Sequence, residues 1–216
     1  MRKIYNIDQY KTVQGYGDSE MEINRSRFIS YVNRAVTEAE AQEFIATIKK
    51  KHWDATHNCS AYICGEQDEH QKANDDGEPS GTAGKPILEV IKKNDLKDTV
   101  IVVTRYFGGI KLGAGGLIRA YGKSASIGIK TVGIIERSLF RKISFLIDYT
   151  YWGKIEKNLR DQRYRIHETT YADKINLVVL AKVGEEEILE EKMIDYTSGQ
   201  INIERKGFIY VDEKLE

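Results

Sequence analysis

Two cysteines and two prolines stand among 216 residues, no apolar run approaches the roughly 20 residues that a bilayer-spanning helix needs, and acidic and basic side chains balance at 33 each. Each scarcity excludes a class of protein. Too few cysteines are present for a disulfide framework, and Cys59 and Cys64 lie five apart, which on a strand puts them on opposite faces where they neither bridge nor share a metal. Few prolines and no low-complexity tract argue against a long disordered arm. The first ten residues, MRKIYNIDQY, lack the apolar core of a signal peptide, so a cytoplasmic protein with no membrane association is expected. Zero net charge removes the global positive field of a strong nonspecific nucleic-acid binder, and any such footprint must be a patch. HExxH and paired CxxC motifs are also missing, and His52, His70 and His167 show no ligand spacing, so no metal and no cofactor is assigned.

One further absence is local. Residues 99–135 contain five Lys or Arg and not one Asp or Glu. Inside that stretch the segment VVTRYFGGIKLGAGGLIRAYGK, residues 102–123, carries six glycines directly behind a β-branched run. The run, from Leu96 to Tyr106, predicts a buried strand, and a helix is predicted from Leu117 onward. Between them Gly108, Gly109, Gly113, Gly115 and Gly116 predict positive φ angles or a close approach to the main chain. A strand, a glycine loop and a helix start favour an anion, because the first amides of a helix are unpaired and its dipole is positive there. Arg105, Lys111, Arg119, Lys123 and, from a neighbouring loop, Lys85 add charge, and Tyr106 with Phe107 is placed to stack on a base. Known nucleotide motifs fail. A phosphate-loop pattern ending at Gly122, Lys123 and Ser124 would need glycine at 117, which is Leu, and a dinucleotide pattern from Gly113 and Gly115 would need it at 118, which is Ile.

The polar stretch 66–84 is expected to be a loop, and within it Asp75, Asp76 and Glu78 either build turns or hold a cation or act as a base. His57 and Cys59 share a strand face, the beginning of a nucleophile argument, yet neither an orienting group nor an oxyanion site is evident, so no catalytic residue is assigned. Upstream, paired strands are expected over residues 20–34 with a turn at Arg25 and Ser26. Thr37 and Glu40 then form a capping box before a helix that ends at Lys49, Lys50 and Lys51. From residue 139 the pattern restarts as βαββαβ, an α+β sandwich of ferredoxin type, which divides the chain at 1–136 and 137–216.

The motifs DDGEPSGTAGKPIL at 75–88 and VVTRYFGGIKLGAGGLIRAYG at 102–122, with SRFIS from Ser26 and HNCSAY from His57, resemble the IMPACT family over roughly residues 18–136. The remainder is similar to the C-terminal domain of bacterial members, itself related to the ferredoxin-like last domain of translation elongation factor G. The resemblance implies a first domain with the fold of ribosomal protein S5 domain 2, a four-stranded sheet backed by two main helices, as in ribosome-associated factors and some small-molecule kinases. Eukaryotic members regulate translation by competing for a protein activator of a stress-responsive kinase, through an extra N-terminal domain that these residues are not expected to include. The expectation is therefore a non-enzymatic cytoplasmic factor that modulates translation. It would bind RNA or the ribosome, or a protein partner in translation, through the cationic glycine loop, and not DNA. The rival expectation is an enzyme or binding protein for a nucleotide or phosphorylated small molecule, with Asp75, Asp76 and Glu78 as metal or base site.

Overall fold

The computed structural model describes residues 7–65 and 67–214, so most of the segment inspected for a leader, and Glu66 at the head of the expected loop, lie outside the described residues. The chain divides into two compact units, one of residues 137–212 and one holding the rest. In the first unit, strand β1 (Gln9–Val13) is followed by a five-stranded sheet built from β2 (Gly17–Ile23), β3 (Ser26–Arg34), β4 (His57–Cys64), β5 (His70–Asn74) and β6 (Thr99–Tyr106), in the order β2-β3-β6-β4-β5. β6 is central because it can be: the Val-Ile-Val-Val run is buried on both faces, as every residue from Thr99 to Arg105 is. It pairs antiparallel with both β3 and β4.

Three helices cover this sheet. α1 (Glu38–Lys51) opens on Thr37, whose Oγ1 accepts from Glu40 N, while Glu40 Oε2 accepts from Val36 N at 2.8 Å. It covers one face over Tyr62, Val100, Ile29, Tyr31 and Val102. α2 (Gly84–Lys93) and α3 (Gly113–Val132) pack together on the other face over a core that includes Phe28, Cys59, Ile101 and Val103. The sheet thus carries one strand more than the resemblance implied, and a third helix lies behind it. The extra strand is β5, within the expected loop. All five of its residues are exposed, so it has no apolar alternation for sequence reading to detect, and β4 is the strand it pairs with. The β2–β3 turn falls at Asn24 and Arg25, both at positive φ, one residue ahead of its predicted place.

The second unit takes most of β7 (Ile134–Ile147), α4 (Tyr149–Asp161), β8 (Arg165–Tyr171), β9 (Ile175–Lys182), α5 (Glu186–Tyr196) and most of β10 (Asn202–Lys214). Its strands run β10-β7-β9-β8, so the first strand lies beside the last and the third, which is the ferredoxin-like arrangement. Ile143, Phe145, Leu177 and Val179 face Ile155, Leu159, Leu189 and Met193 in its core. The expected division between residues 136 and 137 falls within β7.

Candidate functional site

The glycine segment is shorter as a loop than its sequence predicts, because α3 begins at Gly113 and not Leu117. Gly113, Gly115 and Gly116 form the opening turn of the helix, Leu112 precedes it with no side-chain cap, and no acidic residue lies in that turn. Only Gly108 and Gly109 remain in the connection. Gly109 has φ +85°, and a Cβ at Gly108 would overlap the Arg25 carbonyl, so the connection closes tightly on the β2–β3 turn.

Arg105 is not a surface cation. It is 5% exposed, and its Nη1 donates to Glu78 Oε1 at 2.6 Å while Nη2 reaches Ser26 Oγ at 3.4 Å. The guanidinium lies over the rings of Phe28 and Phe107, 5.5 and 5.4 Å from their centroids. Nε is left without an acceptor. Tyr121, fully buried and edge-on to Phe28, donates to the same Glu78 oxygen at 2.8 Å. Burial, with Cys59 and Glu78 beside it, raises that phenol well above its ordinary value, so its proton stays on. Glu78 Oε2, in contrast, meets no hydrogen-bond donor among the described residues and stands 3.8 Å from His57 Nε2. The imidazole is held from its other side by Asp76 O, 2.8 Å from Nδ1. A carbonyl oxygen can only accept, so Nδ1 carries a proton, and whenever the ring holds that proton alone Nε2 presents a lone pair.

Asp75 and Asp76 have separate employments. The Asp75 carboxylate accepts from Gly81 N, Ala83 N and Gly84 N at 2.8, 3.0 and 2.8 Å, gripping the start of α2. Burial opposes its ionisation, but the three amides outweigh that and hold the carboxyl below its ordinary value. Asp76, at φ +44°, pairs with Lys49 Nζ at 2.6 Å and accepts from Asn58 N at 2.7 Å. No group of three His, Cys, Asp or Glu among the described residues is arranged to hold a metal. Cys59 donates to Asp75 O at 3.0 Å beneath His57, and burial pushes its thiol up to about 12, which removes the thiolate a nucleophile needs. Tyr106 is likewise engaged, donating to Asp54 Oδ1 at 3.1 Å and bonding His52 Nδ1 at 2.9 Å, so of the two aromatics only Phe107, 46% exposed, is open for stacking.

The structure thus brings the acidic loop and the glycine segment to one cleft of about 460 Å³. Its lining includes His57 and Glu78, Arg105 near the end of β6 with Phe107 just beyond it, and Lys111 just ahead of Gly113 at the start of α3. His57 and Tyr121 were not legible as partners of Glu78, which is 21 and 43 residues distant from them in sequence. Lys85, Arg119 and Lys123 are not in this cleft. They are exposed along α2 and α3, joined by Lys92, Lys93 and Lys130, with Lys111 just ahead of α3. Among the described residues none of these seven is in an ion pair, and Glu89 is the one acidic residue in either helix. Because α2 and α3 pack side by side on the same face of the sheet, the seven charges look out from one side of the unit.

No helix among the described residues is long and apolar enough to cross a membrane. Residues 24–129 match the Impact N-terminal domain, and residues 145–200 match a domain of unknown function, DUF1949. The chain is 52% identical over 209 residues to the IMPACT family member YvyE of Bacillus subtilis, covering 97% of this chain and 96% of that one. It is 30% identical over 184 residues to the IMPACT family member YigZ of Escherichia coli, covering 84% and 90% of the two chains. A crystal structure of a hypothetical protein superposes with a TM-score of 0.61 at 25% identity, covering 98% of this chain and 99% of that one. With a relative of this similarity along nearly its whole length and both domains matched in order, the chain belongs to the IMPACT family.

Proposed function

We propose that this protein is a non-enzymatic cytoplasmic factor that binds RNA, free or on the ribosome, and modulates translation through the outward face of α2 and α3. The observation that carries the reading is the row of seven exposed Lys and Arg residues that form no ion pair among the described residues, against the single Glu89 in the two helices. Long basic side chains left without carboxylate partners, on a chain whose net charge is zero, concentrate positive potential on one surface. Such a surface suits a polyanion whose phosphates are regularly spaced, and contacts of this kind position a backbone without reading its sequence. Arg105 has no part in that surface; its charge is spent within the fold on Glu78.

The test is binding of a structured RNA, and of ribosomes, at two or more salt concentrations. Wild-type affinity is expected to fall steeply with salt. The double variant Arg119→Glu/Lys123→Glu is expected to bind at least about tenfold more weakly, since removing a basic side chain from a phosphate costs on the order of 1 kcal/mol or more at low salt. Binding that ignores both salt and charge reversal would remove the proposal.

A further inference from the structure

The cleft at the junction of β6 and α3 has a chemistry that phosphate binding on the basic face does not use. Two acceptors, Glu78 Oε2 and His57 Nε2, stand 3.8 Å apart in its wall. Neither has a hydrogen-bond donor among the described residues, because Arg105 and Tyr121 both bond Oε1 and the Asp76 carbonyl takes the Nδ1 proton. Acceptors paired in this way are suited to two neighbouring donors. Cationic donors are disfavoured. The charge of Glu78 is already matched by Arg105, while Lys111 and the uncapped first turn of α3 across the cleft make the remaining field positive. The donors that fit are neutral hydroxyls, and the group that fits opposite them is an anion. Arg105, which also lines the cleft, has a side chain 7% exposed and an Nε–H with no acceptor among the described residues. Phe107, 46% exposed, provides an apolar ring at the rim.

We infer that this cleft binds a ribonucleoside phosphate, with the vicinal 2′- and 3′-hydroxyls donating to Glu78 Oε2 and His57 Nε2, the phosphate meeting Lys111 at the start of α3, and the base against Phe107. The site takes the ligand either as a free nucleotide or as the 3′-terminal nucleotide of an RNA. Of the residues on the basic face it uses Lys111 alone, so it stands or falls separately from RNA binding along α2 and α3.

Glu78→Gln is the obvious variant, but it would leave Arg105 buried without its counter-charge and perturb the fold. The test therefore uses the rim variants Lys111→Ala and Phe107→Leu, whose side chains are exposed, in an NMR titration of the full chain. The probes are adenosine 5′-monophosphate, its 2′,3′-dideoxy analogue, and a short oligoribonucleotide with either a 3′-terminal diol or a 3′-dideoxy end. Either diol-bearing probe is expected to shift the amides of Phe107, Gly109, Gly113 and Ala114 and the imidazole of His57. Lys111→Ala, and separately removal of the diol, are each expected to weaken binding by about tenfold, the effect of deleting one charged hydrogen bond or two neutral ones. Arg119→Glu/Lys123→Glu is expected to leave the mononucleotide affinity unchanged. A response to the mononucleotide assigns a free nucleotide as ligand, and a response only to the diol-ended oligonucleotide assigns an RNA end. No shift at these positions with either probe, or equal binding of the dideoxy forms, would overturn the inference.

Discussion

Arg105 follows six β-branched residues, and that context decides its role. A strand buried on both faces carries any charged residue that continues it into the interior, where it needs a counter-charge. Glu78 supplies it at 2.6 Å. The sequence reading placed Arg105 among the anion-binding cations and missed this pairing, because Glu78 reaches Arg105 only once the loop ahead of α2 has folded back. Arg105→Ala leaves Glu78 buried and uncompensated and is expected to lower stability by about 3–5 kcal/mol, read as a lower urea midpoint. The double variant Arg105→Met/Glu78→Leu should recover much of that deficit. A mild, purely RNA-linked phenotype for Arg105→Ala would contradict this assignment. Asp75 has a pH signature. Its folded carboxyl sits below the ordinary value, so its contribution is present above the unfolded value of about 4 and is lost as pH falls through the folded one. Asp75→Asn is therefore expected to be less stable than wild type by about 1–2 kcal/mol at neutral pH, with the gap closing in acid. Urea midpoints at pH 7 and pH 3 check the sign.

At the scale of elements, α3 shows why glycine density can be misread. Three glycines placed in a loop by their conformational freedom begin a 20-residue helix instead. The glycine signal was real at Gly108, Gly109 and Gly113, the last two at positive φ, and misleading at Gly115 and Gly116, where the absence of side chains leaves the first turn uncovered. Deeper in the same helix, Gly128 allows close packing on β3: a Cβ there would overlap Ser30 Oγ and come within 2.8 Å of Val32 Cγ2. Gly128→Ala is expected to cost about 1–3 kcal/mol despite its better helix propensity, because the helix must lift from the sheet. A rise in thermal midpoint would refute that packing argument. Elements with a strong period were legible, α1 from its capping box and β6 from its apolar run. β5 was not, since an exposed edge strand with no apolar residue beyond Ala73 carries no pattern to read.

For the molecule as a whole, the βαββαβ order of the second unit was readable because β7, α4, β9 and α5 each place apolar residues at their own spacing in its core. The convergence of acidic loop and glycine segment on one cleft was not, because the meeting of segments tens of residues apart depends on the closed sheet. Charge shows the same division. The composition is neutral, and only the fold reveals that α2 and α3 gather unpaired lysines and arginines on one side while Arg105, Lys49 and Lys97 are neutralised by Glu78, Asp76 and Asp68. The central claim is that this side holds an RNA backbone. The most direct measurement is the dependence of the RNA dissociation constant on salt for the wild type and for Arg119→Glu/Lys123→Glu. The account predicts a steep linear fall of log affinity with log salt for the wild type and a slope shallower by about one for each phosphate the variant no longer neutralises. Equal slopes and equal affinities for the two proteins would contradict it.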